Sequence, residues 1–442
     1  MTNQALEHLI QIAGVVGAGG AGFPAHAKIR QSAEVIIANG AECEPLLRVD
    51  QQVMEHFADD IVGGLAQIMA ATNASRGVIG LKAKYAAAIT RLEAAIARQS
   101  AAIQVHLVDN YYPAGDEQMM VYDITGKVVP VGGLPLDVGA IVFNVTTLMN
   151  IKGAIEGNPV THKFVTVGGE VKNPQTFNAP IGMSLRSLIR AAGGPEDSDR
   201  YTLVLGGPNM GKLEFNWDAP MTKTLGGILV LPSDHLVVQK KITPLEKQIQ
   251  MSRAICCQCN YCSELCPRNA LGLSTSPHKA MRSLAYGQGD SLSVSNIISC
   301  CDCGICTYYA CPMGLLPSRI MTSLKGQMLQ QKLPIEKKVP FRVDPAREFK
   351  RIPIKRLIDR LGIAQYDLPA PIALDPLTTS DVMIPLKQHI GAPCQPIVKV
   401  GDPVTVGQLI GEVPAGQLGA CIHASITGIV VSVDSSGIRI QA

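Results

Sequence analysis

Cys256-Cys257-Gln258-Cys259-Asn260-Tyr261-Cys262-Ser263-Glu264-Leu265-Cys266-Pro267 sets four cysteines at x2, x2 and x3 spacing ahead of a proline. Three thiolates on one tight loop reach three iron corners of a [4Fe–4S] cubane, and the fourth ligand comes from elsewhere. Cys300-x2-Cys303-x2-Cys306-x4-Cys311-Pro312 repeats the run with one extra residue before its last cysteine. Where two such runs occur together, the fourth cysteine of each ligates the other run's cluster. The expected sets are therefore Cys256, Cys259 and Cys262 with Cys311, and Cys300, Cys303 and Cys306 with Cys266. The extra residue is tolerable because the fourth ligand sits on a different loop from its three partners. Structural zinc takes two C-x2–4-C knuckles separated by a longer stretch, which these runs do not follow. Cys257 and Cys301 follow the first ligand of each run, project differently and read as free thiols.

Ten of the thirteen cysteines fall between Cys256 and Cys311, leaving Cys43, Cys394 and Cys421 scattered. A chain of 442 residues buries a large core without disulfide staples and is expected to form several domains. In a reducing compartment its cysteines are ligands or thiols. Lys+Arg total 39 and Asp+Glu 36, and aromatics are 4%, which argues against a nucleic-acid partner. No uninterrupted apolar run reaches the roughly 18 residues of a membrane span. Val128 to Val145 comes closest and is broken by Pro130, Pro135 and Asp137. The opening MTNQALEHLIQ lacks the basic region and apolar core of a secretory signal. The expectation is a soluble cytoplasmic protein.

Residues 1–160 alternate β-branched apolar runs (Val35–Ala38, Val78–Leu81, Ile103–Val108, Ala140–Val145) with helical stretches at Met54–Thr72 and Lys84–Arg98. That alternation predicts an α/β domain on a mostly parallel sheet. Residues 161–242 read as a β-rich α+β module with one helix from Ser184 to Ala192, Ser184 being its N-cap. Residues 243–333 are helical around the cysteines. Residues 334–380, with several prolines, Lys337-Lys338 and the charges from Arg351 to Arg360, read as a connector with one short helix. Residues 381–442 are short strands between glycine turns, a small β sandwich or barrel. Their GDPVTVGQLIGEV segment resembles the lipoyl/biotinyl barrel-sandwich fold. No lysine stands at the hairpin tip Glu412–Gln417, so a docking or structural role is expected rather than a covalent carrier.

Gly17-x-Gly19-x-x-Gly22 matches a dinucleotide-binding pattern, whose glycines let backbone amides approach phosphate. Leu6 to Ala13 ahead of it reads as helix, not strand, and Glu42 lies in a turn, so a simple Rossmann assignment is not supported.

Four blocks carry a more specific resemblance: GAGGAGFPAHAKI from Gly17, NGAECEPLLRVDQQVM from Asn39, YPAGDEQ from Tyr112 and GGLPLDVGAIVFNVTTL from Gly132. Together they resemble the flavoprotein family that includes the NADH-binding flavoprotein subunit of respiratory complex I and the C subunit of the Rnf complex. The resemblance implies that Gly17, Gly19, Gly20 and Gly22 cradle FMN phosphate and NADH, with Lys28 supporting the flavin. It places Asn39, Glu42, Glu44, Tyr112, Gly115, Asp116, Glu117 and Asn144 around the ring, ribityl chain and nicotinamide ribose.

The order of parts is a flavin domain, a soluble-ligand-binding β-grasp module, a helical double-cluster domain and a C-terminal barrel-sandwich hybrid. That order resembles the corrinoid (cobalamin) reductases of propanediol-utilisation bacterial microcompartments. The resemblance implies an oxidoreductase with FMN and two [4Fe–4S] clusters, NADH as donor and cob(III)alamin as acceptor. An adenosyltransferase and shell proteins are its implied neighbours, inside a microcompartment. No corrinoid-binding Asp-x-His-x-x-Gly motif is present, so corrinoid contact rests on the resemblance alone. Competing readings are an NADH:ferredoxin, flavodoxin or quinone-linked oxidoreductase of Rnf C type, and a flavin-free electron conduit.

Overall fold

Val35-Ile36-Ile37-Ala38 is apolar on both sides of the strand it forms, which suits a strand covered from two faces. In the computed structural model β1 (Val35–Asn39) lies between β2 (Arg76–Lys82) and β5 (Ala140–Asn144), and β3 (Ile103–Val108) completes a parallel four-stranded sheet of order β3-β2-β1-β5. Residues 2–196, 198–286, 296–333, 335 and 342–442 are described. Residues 287–295 of the expected helical segment, and 334 and 336–341 of the expected connector including Lys337-Lys338, lie outside them.

Alternate side chains of β1 point to opposite faces. Ile36 and Ala38 pack with α1 (Asn3–Ile12), α4 (Ala58–Thr72), α5 (Ala86–Gln99) and α7 (Val145–Ile155). Val35 and Ile37 pack with Met119, Met120 and Val121 of α6 (Glu117–Thr125), and with Leu271 and Leu273 from the cysteine-rich region. The cysteine-rich segment thus covers part of this parallel sheet. Gly64 of α4 sets how closely α7 approaches: a Cβ there would stand 2.2 Å from the Leu148 carbonyl oxygen. The helix expected over Met54–Thr72 is two helices, α3 (Val49–His56) and α4. Phe57 between them leaves helical backbone geometry, and Asp59 and Asp60 favour the new N-terminus.

The next sheet has six strands, ordered Ile372–Pro376, Gln175–Pro180, His162–Gly169, Gly227–Pro232, Tyr201–Leu205 and Lys212–Glu214. Its helix, Leu185–Ala191, is capped by Ser184, whose side chain accepts from Ser187 N. Its core is continuous with that of the first domain. The segment read as a connector is built into its neighbours. Ile352–Pro353 pairs antiparallel with β4 (Tyr111–Tyr112), Ile354–Leu361 is a helix, and Ile372–Pro376 forms the edge of the six-stranded sheet. Two-residue and edge strands pair with residues far away in sequence, so no local periodicity announces them. The C-terminal region packs a four-stranded sheet on a three-stranded one around Val382, Ile410, Val430 and Ile440.

Candidate functional site

Asn39 and Asn144 end two adjacent parallel strands and face each other in register. The chain runs from β1 outward to β2 and β3, then returns to β5 on the other side. The carboxyl ends of β1 and β5 therefore flank the switch point where open α/β sheets bind ligands. The glycine loop lies over this end. Ala18 N donates to Thr147 Oγ1 in the first turn of α7 at 2.9 Å, and a Cβ on Gly19 would stand 3.3 Å from Asn144 Nδ2. Gly20 has φ +104° and no atom within 4 Å of its would-be Cβ, so that part of the cradle is open. Gly22 (φ +66°) is pressed against Thr224, and Gly17 N donates to Phe23 O. The amides of Gly17 and Ala18 are used within the protein, while those of Gly19, Gly20 and Gly22 donate to no partner among the described residues and, beside the N-terminus of an eleven-residue helix, suit a phosphate. FMN therefore fits the residues present.

Several expected contacts are committed to the protein itself. Asn144 Nδ2 donates to Asp50 at 2.8 Å while its Oδ1 caps α7 through Thr146 N. Asn39 Nδ2 donates to Gly115 O at 2.8 Å. Gly115 must be glycine, because a Cβ would stand 2.2 Å from Ala41 O. Each asparagine amide keeps a second proton for a ligand. Lys28 closes the short helix α2 (Ala25–Lys28). Its Nζ donates to Val142 O at 2.7 Å, lies 3.7 Å from Glu117 and covers the Phe143 ring.

Behind the loop is a buried charged group. Burial, then the neighbouring Asp50 carboxylate, pushes Glu42 up to about 8. Burial raises Asp50 as well, against its hydrogen bonds from Asn144 and Thr146. Burial pulls Lys163 down to about 8, with Asp50 and Glu42 opposing, and its Nζ donates to Ala18 O at 3.1 Å. Lys82 falls to about 8 for the same first cause. A cavity of about 320 Å³ shares Thr146 and Lys163 with this wall, on the side of the β-grasp strands.

Glu44, Tyr112 and Asp116 turn toward the cluster region. Glu44 accepts from Asn209 N (2.9 Å), Met210 N (3.2 Å) and the Tyr112 hydroxyl (2.8 Å). The same hydroxyl lies 2.7 Å from Cys303 O. Asp116 caps α6 and receives Arg268 at 2.7 Å in a buried ion pair. Arg347 and Asp123 form a second one.

The cysteine runs form two similar loops. Gln258 and Asn260 in the first, and Asp302 and Gly304 in the second, occupy matching positions with positive φ. Cys256, Cys259, Cys262 and Cys311 line one small cavity. Cys266 lies within electrostatic reach of Cys300, Cys303 and Cys306. The extra residue of the second run is absorbed by a π-turn over Cys306–Ala310, where the first run has the α-turn Tyr261–Glu264. Among the described residues no group of three or more His, Cys, Asp or Glu closes on a single metal ion. A cubane asks for a wider cradle, with each thiolate on its own iron. Beside Gly304, buried Asn209 leaves both side-chain polar atoms without a protein partner. The residues fit two cubanes, an outer one at Cys256/259/262/311 and an inner one at Cys300/303/306/266. Cys257 is exposed, and Cys301 packs against Cys303 and Arg268.

Family models match in the same order: the Nuo51 FMN-binding domain over residues 10–153, the SLBB domain over 164–213, a 4Fe-4S dicluster domain over 255–316 and the RnfC barrel sandwich hybrid domain over 370–441. A protein named cobalamin reductase PduS, from Citrobacter freundii, is 39% identical over 440 residues, spanning 99% of this chain and 96% of that one. The chain belongs to the PduS cobalamin reductase family. The Salmonella typhimurium PduS is 40% identical over 433 residues, covering 98% of this chain and 95% of its own. The C subunit of the Na(+)-translocating ferredoxin:NAD(+) oxidoreductase complex of Acetobacterium woodii is 35% identical over 273 residues, 60% of this chain and 58% of that one.

This PduS-family chain is an oxidoreductase of the flavin and iron–sulfur electron-transfer class. No described helix is long and apolar enough to cross a membrane. Asp50, Thr147, Lys82, Lys163 and Arg268 join the site in addition to the residues expected from the sequence. Asp50 lies inside a matched block and was findable there. Lys163 meets the glycine loop across 145 residues, and Arg268 meets Asp116 across 152, so neither has a local signal.

Proposed function

We propose that this chain is an NADH-dependent cob(III)alamin reductase that works beside an adenosyltransferase in a propanediol-utilisation microcompartment. Bound FMN would supply two-electron chemistry with NADH, and two [4Fe–4S] clusters would supply one-electron transfer. Gly17, Gly19, Gly20, Gly22 and the N-terminus of α7 bind the phosphate side, and Asn39 and Asn144 orient the ring with their remaining amide protons. Glu42, held as a neutral acid at pH 7 by burial and Asp50, is a proton-bearing group at the same strand ends. Tyr112 and Arg268 hold the inner cysteine loop against the flavin side.

The carrying observation is that Tyr112, on the flavin-type domain, reaches Cys303 O in the inner loop, while the outer loop carries the exposed Cys257 and Cys259. The order supported is flavin site, inner set, outer set, solvent. Anaerobic stopped-flow reduction with NADH, followed by separate challenge with hydroxocobalamin and with a ferredoxin, tests the reading. Cobalt reduction on the enzyme's own timescale is expected. Reduction of the ferredoxin alone would reject cobalamin as the acceptor and favour the Rnf C-type alternative.

A further inference from the structure

An open groove of about 540 Å³ is lined by residues that flank outer cysteines in the chain, the cysteines themselves lying outside its lining. One wall is the ligand-bearing chain itself: Tyr261 lies between Cys259 and Cys262, and Tyr309 precedes Cys311 by two residues. The other wall is the helix Ile354–Leu361, which buries Ile354, Leu357, Ile358 and Leu361 and turns Arg356 and Arg360 outward. Among the described residues neither arginine makes an ion pair or hydrogen bond within the chain. Asp359 is the one carboxylate in the lining, so the two arginines leave a local charge of +1. Lys240 adds positive potential next to Arg360. Tyr261 is 55% exposed although its neighbours Cys262 and Ser263 are buried.

These features select a ligand chemistry. The groove is shallow and open, and about 540 Å³ takes one edge of a large ligand and leaves the rest of it in solvent. Two arginines one helical turn apart stand close enough to hold one phosphate between them. The tyrosines offer faces and edges to a flat conjugated ring. We propose that the groove seats the corrinoid, with its ring edge against Tyr261 and Tyr309 and the phosphodiester of its nucleotide loop between Arg356 and Arg360. This rests on the cobalamin-reductase reading and adds a place for the acceptor beside the outer cysteines.

The test is equilibrium dialysis of the anaerobically prepared full-length protein against cyanocobalamin and against dicyanocobinamide, which has the same ring and no phosphodiester. Iron and sulfide content serve as the folding control. Wild type should prefer cyanocobalamin by about tenfold, the scale of one charge-assisted contact. Arg356→Gln/Arg360→Gln should erase that preference, and Tyr261→Ala should weaken both ligands several-fold. A preference that survives the double arginine variant, or affinities untouched by Tyr261→Ala, overturns the groove assignment. NADH-driven hydroxocobalamin reduction in the same preparations separates the two failures. Reduction by wild type with unchanged binding in the variants sinks the groove alone, while no reduction and no binding sink the reading with it.

Discussion

The Tyr112 hydroxyl sits 2.7 Å from the carbonyl oxygen of Cys303, joining the flavin-type domain to the inner cysteine loop by one side chain. A phenol has one proton, and Glu44 lies 2.8 Å away on the other side. That one proton is shared between two buried acceptors, Glu44 Oε1 and Cys303 O, while burial raises the Glu44 carboxyl against the hydrogen bonds it accepts. Tyr112→Phe removes that proton and strands both acceptors. We expect about 1–3 kcal/mol of lost stability in urea unfolding. Slower cluster reduction after NADH mixing should accompany it, read at the visible iron–sulfur bands; unchanged values of both would remove Tyr112 from the coupling.

Arg268 and Asp116 have side chains 9% and 8% exposed. Removing one partner of such a pair leaves a buried charge alone and costs about 3–5 kcal/mol. Arg268→Met should reach that range in urea titration. Asp116→Asn, which keeps the helix cap, combined with Arg268→Met should cost less than the sum of the singles. Strict additivity would show that the pair does not hold the two regions together.

Gly19 is not among the glycines with positive φ, so no left-handed backbone demands glycine there, but a Cβ would stand 3.3 Å from Asn144 Nδ2 at the cradle floor. Gly19→Ala is expected to shift stability by no more than about 1 kcal/mol. FMN retention, measured by fluorescence after gel filtration, should fall at least about tenfold. Full retention would move the flavin away from this loop.

Cys259→Ala and Cys303→Ala should each lower iron from about eight to about four atoms per chain and remove one EPR signal. With the inner set lost, dithionite but not NADH should reduce the remaining centre quickly. With the outer set lost, NADH should still reduce it. The opposite pattern would reverse the order of the two sets.

Folded Glu42 keeps its proton up to about pH 8, whereas an unfolded glutamate releases it near 4.5. Between those values the folded chain binds more protons, so stability should fall as pH rises. Lys82 and Lys163 act oppositely: lowered to about 8 from 10.5, they leave the unfolded chain with more protons above pH 8, and stability recovers there. Urea midpoints should therefore pass through a minimum near pH 8. Glu42→Gln should flatten the falling limb and spare the rising one; a profile identical to wild type would dismiss this role for Glu42.

Much of the candidate site is legible because its signals are local. Five cysteines within eleven residues, a glycine loop and an Asn at the end of an apolar run each declare themselves over a few peptide units. Glu44 is the counter-example. Its place in a matched block suggested a ligand contact, yet its oxygens serve Asn209, Met210 and Tyr112, because the β-grasp turn packs onto it. The connector is another: Ile352–Pro353 and Ile372–Pro376 look irregular until their partner strands are seen.

Spacing along the chain determined which thiolates share a loop and where backbone amides lie bare, since both follow from covalent geometry over one or two turns. Only the tertiary structure decided that Arg268 meets Asp116, that Lys163 meets the glycine loop, and that a basic helix faces Tyr261 across a groove. Those meetings depend on how separate hydrophobic faces are buried together, and burial joins residues irrespective of the length of chain between them.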